Sequence, residues 1–246
     1  MFIMNVVNLD SEVKGVEKMA VSSGFFKKIQ RWVIDNESGE LLFLPFQTEG
    51  NPYKSKILLV GSNSEPLLEM NASDIQLLAD TLVDTKKFLD VFQNEVAEAS
   101  REFKGSLKFA SWVNENFGEQ VVLSSINCLN SKNTDIKRLK KENDPLYLKG
   151  FEIFKEVINE FQPNVLIIQG SATLKLFLEQ FENQLLNYQL DDLTMSVQEL
   201  EEKETITKLS LNSGKEVNIL VSRSMGAFGK EGRTFRKFKE KLKQLL

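Results

Sequence analysis

The run Lys56-Ile57-Leu58-Leu59-Val60 stops at Gly61-Ser62-Asn63-Ser64-Glu65-Pro66, an abrupt switch from apolar to small, polar, turn-forming residues. The same switch recurs at Val121-Val122-Leu123 before Ser124-Ser125-Ile126-Asn127-Cys128, and at Val165-Leu166-Ile167-Ile168 before Gln169-Gly170-Ser171. A helical pattern follows each. Short, continuous apolar runs bounded by turn residues read as strands buried on both faces, which is how parallel sheets are written in sequence. In an open α/β sheet the carboxyl ends of the strands line the ligand crevice. Chemistry is therefore expected at the loops opening at Gly61, at Ser124, and after a last strand ending near Ser222.

Working outward, Ser73-Asp74-Ile75-Gln76 has the form of a capping box and predicts one long helix to about Phe103, with a shorter pattern from Leu107 to Gly118. Asp144-Pro145 reads as an N-cap with proline at the first helical position, and Pro163 stops that helix after Phe161. A further helix is expected from Ser171 to about Phe181. Asn212-Ser213-Gly214 between two alternating runs signals a hairpin that delivers the last strand, Val217–Val221. Gly24-Phe25-Phe26-Lys27-Lys28 reads as a short amphipathic piece. Trp32-Val33-Ile34-Asp35 and Leu41-Leu42-Phe43-Leu44, around Asn36-Glu37-Ser38-Gly39, suggest a hairpin or a strand-rich entry. Parallel neighbours need helical crossovers. The expected fold is thus a three-layer α/β/α sandwich around a mostly parallel sheet of about four strands. Residues 1–50 are expected to form an extension packed on the core, and 51–246 one domain with an exposed acidic insertion near 183–204.

Composition narrows the chemistry. The 246 residues contain no histidine and one cysteine, Cys128. An internal disulfide, a structural zinc site and a cysteine-ligated iron–sulfur cluster are excluded on those counts, and the commonest general base near neutral pH is missing. No run approaches the ~20 apolar residues of a membrane span, so a soluble, cytoplasmic protein is expected. The net charge is −4, yet from Arg223 onward eight Lys/Arg face only Glu231 and Glu240. A local basic tail on an acidic protein suits a polyanionic partner.

Three loops carry candidate residues. Asn63 is placed to orient a water or substrate and Glu65 to act as a general base, against the plainer reading of an Asx-type turn. Ser124, Asn127 and their polar neighbours suit a neutral, hydrogen-bonding edge such as a nucleobase, because an amide offers a donor and an acceptor in one plane. The loop Ser222-Arg223-Ser224-Met225-Gly226-Ala227-Phe228-Gly229-Lys230-Glu231-Gly232-Arg233 precedes a basic helix. There Gly226, Gly229, Lys230, Arg233 and Arg236 are candidates for phosphate contacts. It is not a Walker A loop, since Ser224 and Glu231 stand where glycine and Ser/Thr are required. Cys128, with no base to ionise it, reads as a buried small residue.

Together these positions resemble the uracil-DNA glycosylase superfamily, over roughly Lys56 to Arg233. The resemblance implies a four-stranded parallel sheet in an α/β/α sandwich, with site motifs at the ends of the first, second and fourth strands. Gly61-Ser62-Asn63-Ser64 is similar to the family's Gly-x-Asn-Pro motif, with Ser64 in place of proline, and implies that Asn63 helps place the attacking water. Pro163-Asn164-Val165-Leu166-Ile167-Ile168-Gln169-Gly170-Ser171-Ala172 is similar to its Pro-strand-Gly-x-Ala segment. Ser124 falls at the base-reading Asn of the family, with Asn127 as a possible substitute. The last motif, His-Pro-Ser or Asn-Pro-Ser, falls on Arg223-Ser224-Met225-Gly226, so that Arg223 and Ser224 would do its work. The resemblance implies a protein that binds nucleic acid, DNA rather than RNA, and excises a damaged or modified base without cofactor or metal. The rival readings are a non-catalytic binding or regulatory module of that fold, and a nucleotide-binding enzyme that uses the Gly226–Gly232 loop.

Overall fold

A computed structural model of the chain describes residues 21–62, 65–186, 195–203, 205–229 and 235–245. Strands β1 (Ile57–Gly61), β2 (Val121–Ser125), β3 (Val165–Gln169), β4 (Leu185–Leu186), β5 (Thr207–Ser210) and β6 (Glu216–Ser222) form one sheet in the order β2-β1-β3-β6-β5-β4. The four strands β2, β1, β3 and β6 run parallel, with Leu59 beside Leu123 and Ile167, and Ile167 beside Leu220. The hairpin partner β5 and the short β4 add an antiparallel edge. Gly214, at φ +82, makes the turn between β5 and β6.

Ten helices are described: α1 (Ser23–Val33), α2 (Ile75–Thr81), α3 (Thr85–Val91), α4 (Gln93–Glu98), α5 (Arg101–Phe117), α6 (Asn133–Glu142), α7 (Pro145–Phe161), α8 (Ser171–Phe181), α9 (Val197–Glu202) and α10 (Arg236–Leu245). Side chains alternate across the parallel strands, so each strand feeds two cores. Ile57, Leu59, Val165, Ile167 and Leu220 pack with Phe109 and Val113 of α5 and Phe238 and Leu242 of α10. Leu58, Val60, Leu166, Ile168 and Val221 pack on the opposite side with α1, α7 and α8. This is the three-layer α/β/α sandwich. No helix among the described residues is long and apolar enough to cross a membrane.

Three local expectations are corrected. The predicted helix from Ser73 to Phe103 is broken into α2, α3, α4 and the start of α5, and the Ser73–Gln76 capping box does not form. Two N-caps inside the run restart the chain: Asp84 accepts from Lys87 N–H, and Ser100 accepts from Phe103 N–H. Each cap satisfies donors at a new helix start, which outweighs continuity of the apolar pattern. The expected strand at Trp32–Asp35 is helical through Val33, because Phe25, Ile29, Trp32 and Val33 share one buried face. Of the hairpin there remains a short turn, with the bridge Ile34–Leu41 and the backbone bonds Asp35 N–H to the Glu40 carbonyl and Leu42 N–H to the Val33 carbonyl. Finally, the acidic stretch is not all exposed, since Leu200 and Glu201 of α9 are buried.

Residues 43–48 matter for the site. Gln47 pairs with Leu123 beside β2, and the Phe46 ring packs edge-on to Phe161 of α7 at 4.9 Å and to Trp32 of α1 at 6.2 Å. Edge-to-face contacts of this kind hold ring orientation as well as burying area.

Candidate functional site

The carboxyl ends of β1, β2 and β3 open into a cleft of about 210 Å³. Gly61, Ser62, Ser124, Ser125 and Gln169 line it from the sheet, Glu65, Ser100, Glu102, Phe103 and Ser106 from the α5 side, and Leu44, Phe46 and Gln47 from the segment beside β2. Glu65 Oε2 accepts from the Ser100 backbone N–H at 2.9 Å. A carboxylate there answers both an unpaired amide and the positive end of the α5 dipole. Glu102 sits in the first turn of α5, where Ser224 Oγ donates to its Oε2 at 2.6 Å. Its Oε1 lies 3.5 Å from where a Cβ on Gly61 would stand, within ordinary contact of the end of β1.

Burial raises the Glu102 pKa above the ordinary carboxylate value, against the pull of the Ser224 hydrogen bond and with a further push from the charge of Glu65. A carboxylate of raised pKa is a stronger base, and its neutral form persists closer to neutral pH as an acid. In a chain without histidine, Glu102 is the group best suited to move a proton in this cleft.

Gln169, buried at the end of β3, ties the surrounding elements together. Its Oε1 accepts from Met225 N–H at 3.2 Å and its Nε2 donates to Ser106 Oγ at 3.1 Å. Ser106 Oγ also lies 2.9 Å from the Glu102 carbonyl, as donor. Gly105 lets the loop after β6 lie directly on α5: a Cβ there would stand 1.8 Å from the Met225 carbonyl oxygen.

The structure brings some of the sequence candidates together and separates others. Glu65 and Ser124 line the cleft, and Ser224 reaches it through Glu102. Ser124 Oγ donates to the Pro45 carbonyl at 2.7 Å, so its hydrogen is committed to the backbone. Asn127 does not face the cleft. It is 1% exposed, its Nδ2 donates to the Tyr147 carbonyl and its Oδ1 accepts from Leu129 N–H. Gly150 is required beside it, since a Cβ would lie 2.0 Å from Asn127 Oδ1. The amide has been spent on holding a turn against α7.

Arg223 is likewise engaged, through its side chain with the buried Glu201 at 3.0 Å and over the Phe235 ring at 4.9 Å. Gly226 and Gly229 are exposed, and Gly226 backs onto the Arg101 backbone. Arg236 is exposed on α10, 3.8 Å from Glu240. Lys237 pairs with Glu202, Lys239 lies over Trp112 and Phe228, and Lys241 is buried against the Glu201 carbonyl. Much of the basic helix therefore stabilises its own protein. Asn63, Lys230 and Arg233 lie outside the described residues. Cys128 is fully buried, and burial pushes its thiol up to about 12.

Glu102, Gln47 and Gln169 were not legible as site residues. Glu102 was hidden in what reads as continuous helix, and its signal was Ser100, an N-cap two residues earlier. The two glutamines are polar residues that end apolar runs, Leu41–Phe46 and Val165–Ile168. No known family's sequence pattern matches the chain, and no curated protein matches it either.

Proposed function

We propose that the protein is a uracil-DNA-glycosylase-like protein that binds nucleic acid, takes one base into the cleft at Gly61 and cleaves its N-glycosidic bond. The observation that carries the reading is the carboxylate pair Glu65 and Glu102, set in a small polar cleft at the carboxyl ends of parallel strands. At about 210 Å³ the cleft is below the ~300–1,000 Å³ of common ligand pockets. It suits a single ring rather than a whole nucleotide. Two carboxylates also disfavour a phosphate inside it, so the backbone stays at the mouth. There Arg101, exposed beside Glu102 and against Gly226, offers a phosphate contact.

In this reading Glu102 accepts a proton as water attacks the sugar carbon, the carbon–nitrogen bond breaks, and the electron pair leaves with the base. The proton taken from water returns to the departing ring. Glu65, anchored on Ser100 N–H, keeps α5 in place. The test is to incubate the full chain with oligonucleotides carrying uracil, hypoxanthine or xanthine and to assay abasic sites. Their formation from one of these supports the reading. The engagement of Arg223 with Glu201 favours a second reading, a non-catalytic module that holds a base without cleaving it, for which binding without abasic sites is the expected result.

A further inference from the structure

Away from the cleft, a groove of about 880 Å³ lies between the turn that follows α1 and the N-terminal half of α7. Its floor is apolar. Phe43 and Ile153 are buried there, Ile34 and Leu42 are half-buried, and Leu148 stands 49% exposed on the α7 side. Along α7 the groove runs from Pro145 to Ile153, a rise of about 12 Å, which matches about two turns of a docked helix. Leu42 and Phe43 line this groove, while Leu44 and Phe46 of the same segment line the cleft. Whatever sits in the groove therefore rests beside the cleft.

The walls carry an excess of negative charge. Asp35, Glu37 and Glu40 of the turn and Asp144 and Glu152 of α7 line the groove, against Arg31 and Lys149. Both cations are already engaged, Arg31 with Glu156 outside the groove at 2.8 Å and Lys149 with Glu152 at 3.3 Å. Asp35 and Asp144 accept from the backbone N–H groups of Ser38 and Leu146, which fixes the carboxylates in place without neutralising them. The Ser38 N–H also lowers the Asp35 pKa, so the turn stays anionic as pH falls. Glu37 and Glu40 are exposed and make no ion pair among the described residues.

We infer that this groove is an interaction surface for a basic amphipathic segment of a partner protein, whose apolar side chains cover Ile34, Leu42 and Leu148 while its Lys or Arg side chains meet Glu37 and Glu40. Charge complementarity selects the occupant. The same carboxylates repel nucleic acid and anionic lipid, and a plain polycation would leave the apolar floor in water. A helix with apolar anchors on one face and cations on its flanks satisfies both the floor and the walls. The inference stands apart from the chemistry proposed for the cleft.

The test is fluorescence anisotropy of the full chain with a labelled peptide of Lys and Leu at helical spacing, and with an oligolysine of equal charge. The amphipathic peptide is expected to bind about tenfold more tightly than the oligolysine. Glu37→Gln together with Glu40→Gln is expected to weaken its binding about fivefold. Asp90→Asn together with Glu98→Gln, an equal change of charge at exposed positions outside the groove, should leave binding unchanged. Leu148→Ser, at an exposed position and checked for folding by circular dichroism, is expected to weaken it about fivefold as well. Equal weakening by the two charge pairs would show attraction to the whole acidic protein and overturn the inference. So would an oligolysine that binds as tightly as the amphipathic peptide, or absence of peptide binding. A dimer in sedimentation that Leu148→Ser dissociates would give the groove to a second copy and overturn it too. None of these outcomes bears on the formation of abasic sites.

Discussion

Ser224 Oγ donates a 2.6 Å hydrogen bond to Glu102 Oε2 across 122 residues of sequence, joining the loop after β6 to the first turn of α5. The bond stabilises the ionised form of a carboxyl that burial drives toward the neutral one. Removing it in Ser224→Ala is therefore expected to raise the Glu102 pKa further. The acid limb of the pH–rate profile should move to higher pH, because the base form is lost earlier as pH falls. Direct titration of the Glu102 carboxyl by NMR checks the same shift without relying on turnover.

That bond depends on how closely the loop approaches α5. Gly105→Ala would place a methyl group 1.8 Å from the Met225 carbonyl oxygen, a backbone atom that cannot swing aside. A loss of about 1–3 kcal/mol is expected, as for other overpacked sites. Gly24→Ala provides the contrast, since nothing lies within 4 Å of its Cβ in the first turn of α1. It should stabilise by up to about 1 kcal/mol through helix propensity. Urea unfolding of the two variants measures both.

Asn127→Ala should reduce stability rather than alter base preference. It leaves Leu129 N–H without its acceptor in the interior and takes the Asn127 donor from the Tyr147 carbonyl, which lies in the first turn of α7. The expected cost is about 1–3 kcal/mol. Urea unfolding measures it, and in the abasic-site assay the folded variant should keep the wild-type preference among uracil, hypoxanthine and xanthine.

Cys128 should resist alkylation by iodoacetamide at pH 8 in the native protein and react readily in denaturant. Burial holds its thiol near 12, where the reactive thiolate is scarce. Native-state reaction at the rate of a free thiol would show that the turn around Cys128 opens.

The parallel sheet was legible because β1, β3 and most of β2 are apolar runs buried from end to end. Helices α7 and α8 were legible from Asp144-Pro145, Pro163 and Ser171, whose backbone preferences act locally. The break-up of the run before α5 was not, because Asp84 and Ser100 begin helices only by capping specific amides. Asn127 shows the general difficulty at the site. An amide suited to reading a base is equally suited to holding a turn, and the choice was made by Tyr147 and Gly150, about 20 residues away. Glu102 acquired its role from Ser224 and Glu65, neither of which is near it in sequence.

Glu102 also sets a sign for stability. Its folded pKa lies above the unfolded value, so its contribution is fully present below the ordinary carboxylate pKa and is lost as pH rises through the raised one. In its ionised form the partly buried carboxylate is a cost, which the amide of Glu102→Gln removes. The decisive measurement is single-turnover base excision by wild type and Glu102→Gln at neutral pH, with thermal melts of both. The expected result is a rate lowered by about 10²-fold or more, the range for losing a general base, in a protein that melts no lower than wild type. Abasic sites formed by Glu102→Gln at the wild-type rate, or by neither protein on any of the three modified bases, would contradict the account.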